Sequence, residues 1–334
     1  MKKLLKHISP FAPDISGACS VLYETGALTV VCDAGGCAGN VCGFDEPRWL
    51  KKKSPLFSAG LRDMDAILGR DDRLIEKLTL ACKQTEPVFS AIVGTPVPAV
   101  IATDYKALER KAEEKTGIPC ICINTDGTKH YDEGEEKAYY ILFKKFAKEG
   151  TTPKGNKKAV LGATPLAASV SDKKELQKYL KEETVFFSLG SDISQYINVG
   201  DFSHITVVSP SGIKAAQYLK EKFGISYDID YPFIPEHILE QIKNSKRTLA
   251  IHQDVYLKGL RKRGFEGDCA TFFKRVQEDT MILKEEEDLK NIAYDYDVII
   301  GDISLKKIIP DYKGSFIDLP HFGLSGRELK NEDP

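Results

Sequence analysis

Several signatures are missing from this 334-residue chain, and each absence removes a class of function. No GxxxxGK run followed by Ser or Thr occurs, so there is no P-loop with which to bind and hydrolyse a nucleotide. No GxGxxG follows the first predicted strand, and the glycines of GTPVP and GSDIS are too few for a dinucleotide fingerprint, which argues against a nicotinamide enzyme. No segment reaches the ~18 consecutive apolar residues that a membrane helix needs. The opening MKKLLKHISPFAPD is basic, as a signal peptide is, but Pro10 and Pro13 arrive before any useful apolar core; it reads as a cytoplasmic arm. Lys plus Arg number 47 against 49 Asp plus Glu, a net charge of −2, so nothing draws the chain to nucleic acid or to an anionic membrane. Eight cysteines are too sparse for a disulfide scaffold, and no paired CxxC or HxxxH supplies a zinc knuckle.

What is present is ample apolar content, 42%, in a chain longer than one core can serve. Strands alternate with helices: strand ALTVV, a helix with apolar spacing from Leu74 to Leu80, strand VFSAIV, helix DYKALERKAEEKT stopped by Gly117 and Pro119, strand CICIN, and a helix from Glu135 to Lys148. Lys148–Lys158 is the clearest linker. The same grammar then repeats through strands AVLGAT, VFFSLG and HITVVS, and again through helix PEHILEQIKNSK and strands TLAIHQ and DVIIGD. Such alternation predicts βαβ units with parallel sheets, an α/β fold divided as 1–150, 155–234 and 235–334.

The chemistry concentrates in Gly17–Gly43, which holds four of the eight cysteines. Cys32, Cys37 and Cys42 follow CxxxxC spacings, and clustered cysteines in a reducing compartment are metal-binding, catalytic or simply buried. Thiolates flanked by glycine suit an iron–sulfur cluster, because Gly17 and Gly36 let backbone amides approach sulfur. Cys32 ends a strand and Cys82 ends a helix, both readable as core; Cys120 and Cys122 fall on one sheet face by period-two alternation. The polar loop Asn124–Gly134 follows a strand, where open α/β sheets place ligands, and carries His130 and Asp132; His321 lies in a comparable loop.

Taken together, Gly17-Ala18-Cys19, Gly35-Gly36-Cys37, Asp63 to Gly69 with Arg73-Leu74, Ile118-Pro119 with Asn124-Thr125 and His130-Tyr131-Asp132-Gly134, and the closing Leu319-Pro320-His321 resemble the nitrogenase component 1 type of oxidoreductase. That resemblance implies three Rossmann-like parallel-sheet units and a [4Fe–4S] cluster at a subunit interface. Cys19 and Cys37 match the family's first two cluster cysteines; the third position, after Thr95, is Pro96 here. Two chains contributing Cys19 and Cys37 apiece would supply four ligands, with Cys42 or Cys82 as alternatives that complete a set within one chain. The position of the nitrogenase cofactor cysteine falls near Val208, so that cofactor is not expected, and His321 lies roughly where the family's cofactor histidine sits.

The expectation is a cytoplasmic reductase component, a homodimer or a heterodimer with a homologous subunit. It would take electrons from a nitrogenase iron protein-like, ATP-dependent reductase and pass them to a substrate in an interdomain cleft, where His130, Asp132 and His321 would serve as contacts or proton donors. The rivals are a non-catalytic scaffold or carrier for a metal cluster or tetrapyrrole, and a plain α/β ligand-binding protein.

Overall fold

The computed structural model describes residues 5–69, 71–150, 157–242 and 247–329. Within them lie three sheets, every strand pair parallel. The first contains β1 (Ala27–Val31), β2 (Leu56–Ser58), β3 (Phe89–Val93) and β4 (Cys120–Ile123) in the order β2-β1-β3-β4. The second contains β5 (Lys158–Leu161), β6 (Val185–Phe186), β7 (His204–Val207) and β8 (Ser226–Ile229), ordered β6-β5-β7-β8. The third contains β9 (Thr248–Ile251), β10 (Asp268–Thr271), β11 (Met281–Ile282), β12 (Val298–Gly301) and β13 (Ser315–Asp318), ordered β11-β10-β9-β12-β13. Each sheet reverses its winding at its first strand, which opens a crevice at the carboxyl ends of β1/β3, β5/β7 and β9/β12.

The Tyr131–Phe146 helix joins these layers. Ala138, Tyr139, Leu142 and Phe143 recur at three- and four-residue spacing and are fully buried in a core that runs unbroken from the first sheet into the second. Against it lies the Asp14–Leu22 helix, so close that a side chain on Gly17 would collide with the Tyr131 carbonyl and one on Gly134 with the Asp14 carbonyl. A second core links the second and third sheets, and a third gathers Phe11, Tyr131 and Leu166 with the third sheet. Arg48, buried, ties the first two sheets electrostatically. Its guanidinium donates to Glu46 (2.7 Å), Glu24 (3.0 Å), the Ser20 carbonyl (2.8 Å) and, across the boundary, the Ser188 carbonyl (2.6 Å).

Some expectations need correction. The helix expected from Glu135 starts at Tyr131, so Asp132 belongs to a first helical turn rather than to a loop. His130 is extended and turns the chain into the helix, and Asp132 and Glu133 suit its positive end. Strands β2, β8, β10, β11 and β13 escape a reading based on β-branched runs; they are two to four residues long and include Asp, Ser and Cys. The acidic stretch Lys284–Asp288 opens a helix, Glu286–Ala293, through a capping box between Glu285 and Asp288. Residues 151–156 of the expected linker and 243–246 of the expected helix lie outside the described residues. Lys148 donates its amide to the Ile197 carbonyl, so the linker's start is held on the second sheet's side.

Gly134→Ala is expected to cost about 2 kcal/mol or more by forcing the two helices apart, whereas Gly36→Ala, where nothing lies within 4 Å of the added carbon, should be neutral or slightly stabilising; urea unfolding of both variants checks the contrast.

Candidate functional site

The cysteine-bearing segment leaves β1 at its carboxyl end. Asp33 accepts from the Ala38 amide (2.8 Å) and the Ser58 hydroxyl (2.5 Å), and Gly35, at φ +124°, makes the reversal that a side chain would resist. The short Gly36–Asn40 helix follows, then one π-helical turn, Val41–Asp45, a form enriched at functional sites. Asp45 closes that turn by accepting from Ser16 and Asn40, each at 2.6 Å. Cys37 and Cys42 are half-buried on these turns, and Cys19 lies beneath them at 1% exposure, in the same apolar cluster as Ala38 and Val41. Burial raises all three thiol pKa values, most strongly that of Cys19, and the charges of Glu46, Cys42, Asp33 and Asp45 push Cys19 further in the same direction. These thiols therefore stay protonated unless a cation compensates. Among the described residues no three His, Cys, Asp or Glu side chains converge in a metal-holding group.

Three large apolar side chains on this segment and on the loop after β3 are exposed. Phe44 is 76% exposed, Leu50 89% and Val100 85%. Val100 comes from the loop after β3, which is tied to the cysteine segment by the Thr95 hydroxyl donating to the Cys32 carbonyl at 2.7 Å. Pro96 opens the short helix of that loop. The remaining cysteines of the first sheet lie on its other face: Cys32, Cys120 and Cys122 are buried with Leu74 and Leu78, and Cys82 packs against them.

A second constellation sits where the first sheet meets the third. His130 and Asp132 line a crevice of about 600 Å³ with Phe272, Phe273 and Lys274. Asp132 accepts the Lys274 amide at 2.9 Å, and burial lifts its pKa to about 6. His321, in contrast, is enclosed. Its ring stacks on His252 at 4.2 Å, its Nε2 meets the Tyr131 hydroxyl at 2.7 Å, and its Nδ1 has no hydrogen-bond partner among the described residues. His252 is equally buried, and burial followed by the neighbouring His321 holds its pKa well below the imidazole range against the opposing effect of the Pro320 backbone; burial brings His321 down to about 3. One turn along from Tyr131, Glu135 is fully buried and accepts from the Thr164 and Ser211 hydroxyls, and burial outweighs both bonds, lifting its pKa to about 8. His252, Glu135 and Tyr131 were not among the candidates read from sequence; that His252 follows the apolar strand TLAI, at a winding reversal, is the signal that could have found it.

Gly17 and Gly36 take different places. Gly17 serves the helix contact with Tyr131, and Gly36 is exposed beside Cys37.

Three parallel sheets flanked by helices, a cysteine-bearing turn after the first strand and a crevice between sheets define an α/β protein of three similar units. The model of the nitrogenase component 1 type oxidoreductase family matches residues 26–244, more than half of the sequence, and the chain belongs to that family. Two solved structures titled nitrogenase Cp1, at pH 6.5 and at pH 5, share its fold with TM-scores of 0.73 and 0.69 at 12% and 13% identity. The alignments cover 99% and 97% of this chain and 89% and 86% of theirs. No curated protein matches. Among the described residues no helix is long and apolar enough to cross a membrane.

Glu135 sets a pH dependence with a definite sign. Its folded pKa is raised, so between pH 4.5 and about 8 the folded chain holds a proton that the unfolded chain has released, and stability falls as pH rises through that window. The histidine pair acts oppositely, costing stability as pH drops below 6.5. Glu135→Gln is expected to gain stability relative to the unsubstituted chain by about 1 kcal/mol per pH unit across that window; denaturant titrations at pH 5 to 8 that show a constant difference would contradict this.

Proposed function

We propose that this protein is a cytoplasmic nitrogenase-like reductase component that receives electrons from a separate ATP-hydrolysing iron–sulfur reductase through a [4Fe–4S] cluster shared with a second copy or a homologous subunit. The observation that carries this reading is the incompleteness of the cysteine site. Among the described residues one chain offers Cys19, Cys37 and Cys42 without a preformed group of three ligands, and it exposes the apolar side chains of Phe44 and Leu50, in or just after the same segment, and of Val100, on the loop after β3. The donor chemistry suits iron, because thiols raised by burial and flanking carboxylates become thiolates only against a compensating cation. Cys19 and Cys37, with Cys42 in reserve, would hold the cluster, which supplies one-electron transfer.

The chain's own residues do the rest. These exposed apolar side chains lose their water when a partner covers them, which stabilises the association as apolar area is removed from solvent. In the crevice, Asp132 keeps a proton up to about pH 6 at a carboxyl group held by the Lys274 amide, and His130 stands beside it; both suit proton delivery to a substrate undergoing reduction. His321 acts through Tyr131, fixing the start of the helix that presents His130 and Asp132.

Anaerobic purification tests this reading. Iron and sulfide are expected in the protein as isolated, with a paramagnetic signal on dithionite reduction. Cys37→Ser should lose most of both while the chain keeps its far-ultraviolet circular dichroism, since Cys37 is only half-buried. Absence of iron, or iron unchanged in Cys19→Ser and Cys37→Ser, would refute the cluster. A cluster that passes intact to an acceptor protein and is never reoxidised by a substrate would instead make the chain a carrier.

A further inference from the structure

We propose that the cavity enclosed by residues 5–13, the Gly127–His130 loop and the Glu286–Ala293 helix binds an amphipathic organic anion, an apolar ring bearing a phosphate or carboxylate. The cavity has a volume of about 300 Å³, at the small end of ligand sites. It adjoins the crevice described above, with His130 and Phe272 as a common wall, but nothing in it rests on the redox reading.

Its walls are set before any ligand arrives. The Glu286 carboxylate accepts from three successive amides of the arm, Lys6 (2.9 Å), His7 (2.9 Å) and Ile8 (3.0 Å), and these bonds hold its pKa below the usual carboxylate range despite burial. On the opposite wall the Asp14 carboxylate accepts from the Asp126 (3.1 Å) and Gly127 (2.8 Å) amides, and Asp126 in turn accepts from Thr128. Phe11 forms an apolar floor, its ring 5.4 Å from His130 and 5.3 Å from Phe272. A pocket that is rigid before binding loses little entropy when filled.

Charge decides the sign of the occupant. Lys6, Lys129, Lys284 and Lys290 line the cavity, and none forms an ion pair among the described residues. Of the lining carboxylates, Glu286 has its oxygens taken up by the arm's amides and Glu285 serves the helix cap, so three carboxylates, only Glu287 uncommitted, face four ammonium groups and the lining keeps a small net positive charge. Ammonium groups over an aromatic floor fit a ring with an anionic substituent and disfavour a cationic one.

Calorimetric titration of the intact protein with phenyl phosphate tests the proposal, with inorganic phosphate and benzylamine as comparisons. Phenyl phosphate is expected to bind at low ionic strength, at least about tenfold more tightly than inorganic phosphate, and to weaken in salt as an ionic contact should. The double substitution Lys129→Glu, Lys290→Glu changes only exposed side chains and should keep the melting curve while lowering affinity at least about tenfold. No binding of phenyl phosphate, equal binding of benzylamine, or an affinity untouched by the double substitution would overturn the site.

Discussion

The backbone-to-backbone contact between the Asp14–Leu22 and Tyr131–Phe146 helices is the constraint on which the rest depends. It exists because Gly17 and Gly134 have no side chains, so each helix seats a carbonyl of the other where a Cβ would be. From that contact three consequences follow along a single helix. Its first residue, Tyr131, is pushed under Gly323 and against His321, its second, Asp132, reaches the crevice, and its fifth, Glu135, is driven into the second sheet's winding reversal among Thr164 and Ser211. On the other helix, Cys19 is carried beneath the Cys37–Cys42 turns. One close contact therefore positions the cysteine site and the crevice relative to each other.

The buried polar groups at this junction are expensive, and they distribute that cost unevenly. Arg48 is surrounded by two carboxylates and two carbonyls, a satisfied cluster whose partners belong to different sheets. Removing one member of such a cluster strands the others, at a typical cost of about 3–5 kcal/mol. The His252–His321 stack is the opposite case: among the described residues the His321 Nδ1 has no hydrogen-bond partner, and both rings are buried. Unsatisfied buried polar groups persist in a native structure where function or access to a second state maintains them, and this pair meets the crevice wall through Phe273, 4.8 Å from the His321 ring.

Much of the fold was legible in the sequence, and the reason is physical. The strands that were readable, such as ALTVV and CICI, are buried on both faces and so carry continuous apolar runs. Those that were not, such as Ser226–Ile229 and Asp268–Thr271, owe their conformation to pairing with neighbours already in place. The separation of Cys32 and Cys120/Cys122 from Cys37 and Cys42 was also readable, because strand position decides which thiols are core. Of the crevice, His130 and Asp132 were readable, and the groups packed around them were not. Glu135 and the amide-binding Glu286 bond residues 29 to 280 positions away, His252 stacks on His321, and His321 proved enclosed rather than open to a cleft, facts that depend on packing between sheets.

The proposed cluster, if built from two incomplete halves, would make assembly and metal content inseparable, which sets the most direct measurement. Native mass spectrometry of the anaerobically purified protein should show two chains with the mass of one four-iron, four-sulfide unit, and collision-induced separation should leave neither chain holding it alone. A monomer that carries the intact cluster, or a dimer of iron-free mass, would contradict the account.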